Sequence, residues 1–172
     1  MTTTGSAGLL LDAFERINQV VHRSVDGLSD DDLTHRPGGS GNPIAWLVWH
    51  LVRIQDDHVA EVAGTEQVWT AQGWAARFAL PFDVEATGYG QGGDEVGAVR
   101  VGADLLLGYY DAVHEQTLQY LDRIGEDDLD TIVDRRWDPP VTLGVRLISV
   151  ADDDIQHAGQ AAFVRGVVES GG

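Results

Sequence analysis

Two segments far apart in the chain carry side chains able to do chemistry. One is GNPIAWLVWHL, which ends just past His50; the other is ADDDIQHAGQAAFVRG, in which Asp153 and His157 stand four residues apart. On a helix that spacing stacks two side chains about one turn apart, so a carboxylate and an imidazole can share one ion. A third ligand from His50 would leave a divalent metal with an open position, the pattern of a catalytic rather than a structural zinc site. Asp154, three residues before His157, meets the same helical requirement and stays open as the carboxylate ligand.

Each residue also has an ordinary explanation. A single histidine on an apolar helix face is commonly a neutral core imidazole with one hydrogen bond. The triplet Asp152-Asp153-Asp154 could be a solvated face on which one acid pairs with His157. Two features favour the metal: a carboxylate turned into a bundle must be paired or metal-bound to offset desolvation, and an inward His50 supplies the third ligand.

Composition narrows the field. With 172 residues, 43% of them hydrophobic, the chain suits one domain (residues 1–172) with a full core. A formal charge of -17, from 28 acidic and 11 basic residues, repels phosphate backbones and anionic lipid, so neither nucleic acid nor a membrane surface is an expected partner. All basic residues are arginine, which removes lysine nucleophiles and Schiff bases and leaves anion contacts to guanidinium groups. There is no cysteine, so any thiol in the chemistry must arrive as a substrate. The beginning, MTTTGSAGLLLDAFERI, lacks the basic and long apolar regions of a signal peptide, and no apolar run reaches spanning length; the expectation is a cytoplasmic protein.

The positioning elements read as helices. Leu10, Phe14, Ile17, Val20, Val21 and Val25 recur at helical spacing ahead of Gly27. Asn42 and Pro43 make an N-cap and first-turn pair for a second helix reaching Ala63, with Gly64 as its C-cap. The stretch from Thr65 to Val101, with glycines at 88, 90, 92 and 93, reads as a long, partly ordered crossover. A third helix is expected from Ala103 to Ile124, then an extended, proline-broken connector, then a fourth helix capped by Thr142 and running to about Val168. The fold class is therefore all-α: a four-helix bundle with a long crossover between its second and third helices, a scaffold that builds metal sites between facing helices.

The two segments resemble the signature segments of the DinB-like superfamily, and the likeness extends over helix order, length and crossover. The resemblance implies a divalent metal between the second and fourth helices, held by one histidine from the former and an H-x-x-x-H or carboxylate-x-x-x-H pair from the latter. His50, Asp153 and His157 occupy those positions. Many members have histidine where this chain has Asp153; the carboxylate form resembles the subset that includes mycothiol-dependent maleylpyruvate isomerase. The crossover WTAQGWAARFAL and the fourth helix look closest to the mycothiol S-transferase members. Other relatives use bacillithiol or glutathione, and others are metal-dependent hydrolases or stress-induced proteins.

The expected function is thus a metal-dependent thiol S-transferase, with zinc as the first choice of metal and nickel, manganese or iron as alternatives on the same ligands. Mycothiol is the expected thiol and a small-molecule electrophile its partner. A hydrolase or thiol-dependent isomerase with the same ligands, and a non-enzymatic metal-binding or stress-related interaction protein, are the alternatives. Arg53 and Arg165 are candidates to clamp a substrate carboxylate; Trp49, Tyr89 and Tyr109 are candidates to line the mouth. Gln160 and Asp154 are candidates to support the ligands. His58, about 12 Å along the helix from His50, is too far to hold the same ion. An apolar helix face is compatible with a homodimer.

Overall fold

The sequence from Ile44 to Arg53 contains only apolar residues apart from His50 and Arg53, so the helix it forms must be covered on every side. In the computed structural model, which describes residues 5–171, all ten of these residues are buried. Residues 1–4, part of the segment read for a signal peptide, lie outside the described residues.

The elements run α1 (Ser6–Val25), α2 (Asp30–Leu33), α3 (Ile44–Ala63), α4 (Val68–Ala71), α5 (Trp74–Phe78), α6 (Gly93–Ala98), α7 (Ala103–Leu121), strands β1 (Ile132–Asp134) and β2 (Val141–Thr142), and α8 (Leu143–Glu169). Short 3-10 turns occupy Pro37–Gly39 and Glu126–Asp130. The four long helices form the expected bundle: α3 packs mainly on α8 and α7, and α1 on the same two, so α1 and α3 stand diagonally opposite. No described helix is long and apolar enough to cross a membrane.

Local chemistry explains most boundaries. Thr142 caps α8, its hydroxyl accepting from Val145 N at 3.3 Å. Gly64 ends α3 in the left-handed conformation, φ 66°, where glycine carries no Cβ penalty. Ser29 and Asp32 form a capping box on α2. Three expectations need correction. Pro43, not Asn42, is the N-cap residue of α3, in extended conformation and without a side-chain cap bond, because the helix begins one residue later. The third long helix stops at Leu121 rather than Ile124, Gly125 serving instead as the N-cap of the following 3-10 turn. Part of the extended connector pairs with itself as a two-stranded antiparallel ribbon.

The start of α1 has no cap of its own; Glu126 reaches across to accept from Ser6 N at 3.1 Å and from its hydroxyl at 2.7 Å.

The crossover is better ordered than its glycines suggest, because it supplies the missing cover for α3. Trp69, Trp74 and Phe78 pack around Tyr109 with ring centroids 5.0 to 5.8 Å apart. Asp56 anchors this layer from inside α3. Its carboxylate accepts from Val68 N at 2.9 Å, Trp69 N at 2.8 Å and the Tyr109 hydroxyl at 2.8 Å, capping α4 from another helix. Arg53, with 0% side-chain exposure, lies 3.8 Å from Asp56 and donates to Gln67 Oε1, Tyr109 Oη and the Ala86 carbonyl.

Removing Asp56 strands that guanidinium in the core. Asp56→Ala is therefore expected to lose about 3–5 kcal/mol of stability, against about 1 kcal/mol for Thr142→Ala, as measured by urea unfolding.

Candidate metal centre

Helix α3 delivers His50 to the seam with α8, and the crossover fixes its ring. His50 Nδ1 is 2.6 Å from the Thr87 carbonyl oxygen, which can only accept, so Nδ1 carries the proton and Nε2 presents its lone pair. Gly88, at φ +93°, makes this approach feasible: a Cβ there would stand 2.7 Å from His50 Nδ1. Trp46 stacks on the other side of the imidazole, centroids 4.8 Å apart and planes 10° apart, and its indole N–H is held by Gln91 at 2.8 Å.

His157, on α8, is oriented by the same device. Its Nδ1 donates to the Asp153 carbonyl oxygen at 2.8 Å, one turn back, and Nε2 is left as the ligand atom. The two imidazoles meet edge to face at 4.6 Å. Between them lies Asp153, whose Oδ2 is 3.9 Å from His50 Nε2 and 3.2 Å from His157 Nδ1. That oxygen is buried and, apart from this long contact with His157, makes no hydrogen bond. One ligand atom from each residue lies within 4.8 Å of the other two, so less than about 1 Å of closure brings all three to one ion at zinc distances.

Electrostatics fit the same use. Burial lowers the His50 pKa, outweighing the Thr87 bond, and keeps the ring neutral. Burial also works against the charged forms of His157 and Asp153. Their mutual hydrogen bond and attraction prevail, raising His157 above its usual value and holding Asp153 below. His50 is 5% exposed, whereas Asp153 and His157 are only half-buried, so access is from the α8 side.

The other anticipated residues lie elsewhere. Asp154 is not in the cluster: one step along α8 turns it into the core, fully buried with neither oxygen bonded, and burial pushes its pKa well up. Arg53 is committed to the Asp56 network and lies over the Trp69 ring at 5.0 Å, so it is a core cation rather than a carboxylate clamp. Arg165 is likewise engaged, donating to the Arg23 and Asp26 carbonyls at the end of α1 and to Glu169. Tyr109 is fully buried in the aromatic layer. Trp49 is buried against Phe82 beside a cavity of about 100 Å³, and Tyr89 is 90% exposed on the crossover. Gln160 is exposed and makes no hydrogen bond with the ligands.

Three contributors were not legible from spacing: the Thr87 carbonyl, Gly88 and the Trp46–Gln91 pair. The TGYG sequence carried a faint signal, since a glycine cluster often marks close backbone approach.

Comparison with known proteins agrees with this architecture. The family model of the DinB superfamily matches residues 13–161. A crystal structure of a conserved protein from Enterococcus faecalis superposes with a TM-score of 0.90 at 28% identity, over 98% of this chain and 99% of that one. No curated protein matches the chain.

The two histidines should titrate on opposite sides of the ordinary value in metal-free protein. His50, with its pKa lowered, costs stability as pH falls from about 6.5 towards its folded pKa. His157, with its pKa raised, adds stability that is full below about 6.5 and is lost as pH rises through its folded pKa. Imidazole NMR titration is expected to give that order, and saturating zinc should abolish both transitions.

Proposed function

The chain belongs to the DinB superfamily, and from that premise we propose that it is a divalent-metal-dependent enzyme that activates a low-molecular-weight thiol, mycothiol foremost, for transfer to an electrophile. The observation that carries this reading is the buried Asp153 Oδ2 between two imidazoles, with only a long 3.2 Å contact from His157 Nδ1 and with each ring's Nε2 left as its ligand atom. One long contact from an imidazole N–H leaves this half-buried carboxylate short of donors, and a cation would complete it.

His50, Asp153 and His157 would hold the metal. Two imidazoles and one carboxylate suit zinc, with nickel, manganese or iron able to use the same donors. A divalent cation there would acidify a thiol or water at its open position and stabilise the resulting negative charge.

The remaining work falls to the chain. The Thr87 and Asp153 carbonyls hold the imidazole tautomers, so both rings face the site as acceptors without rearrangement. Trp46 excludes water from one face of His50 and restricts its rotation. Asp153 raises the pKa of His157, so a metal must compete with a proton for that ring and ligation is pH-dependent. Because the chain has no cysteine, no internal thiolate competes for the ion, and the reacting thiol comes from a co-substrate.

The expected result is mycothiol-dependent conjugation of monobromobimane by zinc-loaded protein, above the uncatalysed rate and reduced to it in His157→Ala. Loaded protein that accelerates no thiol conjugation contradicts the transferase reading. Thiol-independent cleavage of esters or amides by the same protein would assign the centre to a hydrolase.

A further inference from the structure

The α3–α8 seam continues beyond the three ligands. On α3, Ile54 and His58 follow His50 at successive turns; on α8, Ser149 and Arg146 precede Asp153 on nearly the same face. Ile54 is half-buried and Ser149 exposed, so this strip is accessible rather than sealed. At the far end is a polar cavity of about 400 Å³ whose charged and polar lining includes Asp57, His58, Glu61, Gln67, Arg136 and Arg146, with Asp57 held by Gln67 Nε2 at 2.8 Å. Along either helix it lies about 10–12 Å from the ligands, at 1.5 Å per residue.

Its donors are arranged by a network. Arg146 donates through Nη1 to His58 Nδ1 at 2.8 Å and through Nη2 to Asp134 at 3.2 Å. A guanidinium only donates, so His58 Nδ1 is the acceptor and Nε2 bears the proton, making the ring a neutral donor. Asp134 also accepts from Arg136 Nε and Nη2 at 2.9 and 2.7 Å. This much could serve only to staple the β-ribbon to the bundle.

Two features exceed that purpose. Among the described residues Arg136 Nη1 makes no hydrogen bond, although its side chain is 77% exposed at the cavity. Glu61 is held loosely, 3.5 Å from Arg146 and 4.0 Å from His58, with 55% of its side chain exposed. It is a displaceable acid next to two guanidinium groups, in a chain whose net charge is -17.

We infer that this cavity is a carboxylate-binding subsite, with Arg136 and Arg146 as donors, His58 at its wall and Glu61 standing in for the ligand, and that it binds the far end of a molecule reacting at the metal centre. The substrate class is thus a carboxylate carried about 10–12 Å from the reacting atom. The subsite stands by itself, but its link to a reacting atom rests on the proposed function, so the experiment has two arms.

In metal-free protein, sodium hexanoate is expected to shift the His58 imidazole resonances saturably while hexanol does not. Binding should tighten several-fold in Glu61→Gln and weaken about tenfold in Arg136→Gln, the change expected when a charge-assisted bond is lost. Equal shifts from acid and alcohol, in both wild type and Glu61→Gln, overturn the subsite. In zinc-loaded protein, ω-mercaptocarboxylates should bind more tightly than the matching mercaptoalcohols only when the chain is long enough to span the groove, and Arg136→Gln should remove that advantage. No advantage at any length overturns the link. Failure of both thiol series to bind, with the hexanoate response intact, rejects the thiol reading and leaves the subsite standing.

Discussion

The all-round burial of the first half of α3 is the constraint on which the rest depends. Ten consecutive buried residues cannot be covered by the two long helices packed beside α3, so the crossover must wrap the remaining side. That wrapping brings backbone to within hydrogen-bond distance of side chains on α3. Asp56 receives the amides that begin α4, and the Thr87 carbonyl receives His50. The same packing requirement that completes the core therefore sets the tautomer of a metal-ligand candidate.

The paired aspartates on α8 show how finely position decides role. Asp153 and Asp154 are chemically identical neighbours, yet one faces the α3 seam between two imidazoles and the other faces the core. Asp153 keeps its charge because His157 and His50 outweigh the effect of burial. Asp154 has no cation beside it, so burial and the adjacent Asp153 push its pKa up and favour the neutral acid. A negative charge is thus concentrated where a cation can use it.

Much of this was legible in the sequence. Helical periodicity gave the four long helices, and the i, i+4 pair with an inward histidine gave the three residues that converge. What escaped were interactions without local pattern. Glu126 caps α1 from the opposite end of the chain, and Asp56 caps α4 from the middle of another helix. Arg53 and Arg165 shared a face with the ligands, but Arg165 was drawn to the carbonyls ending α1, and the buried Arg53 to a carbonyl and a buried acid, because a buried guanidinium must find acceptors wherever the fold supplies them. Arg146 shares the Asp153 face of α8 two turns earlier, but Arg136 lies in the loop between the two short strands, where spacing from the ligands gave no indication of it.

The central claim is that Asp153, with His50 and His157, holds a metal, and that Asp154 does not. Elemental analysis after zinc loading and dialysis tests it most directly, using wild type, Asp153→Ala and Asp154→Asn, each checked for native helicity by circular dichroism. The account predicts a stoichiometric ion in wild type and in Asp154→Asn, and loss of the ion from folded Asp153→Ala. Full occupancy in Asp153→Ala, or a folded Asp154→Asn without metal, would contradict it.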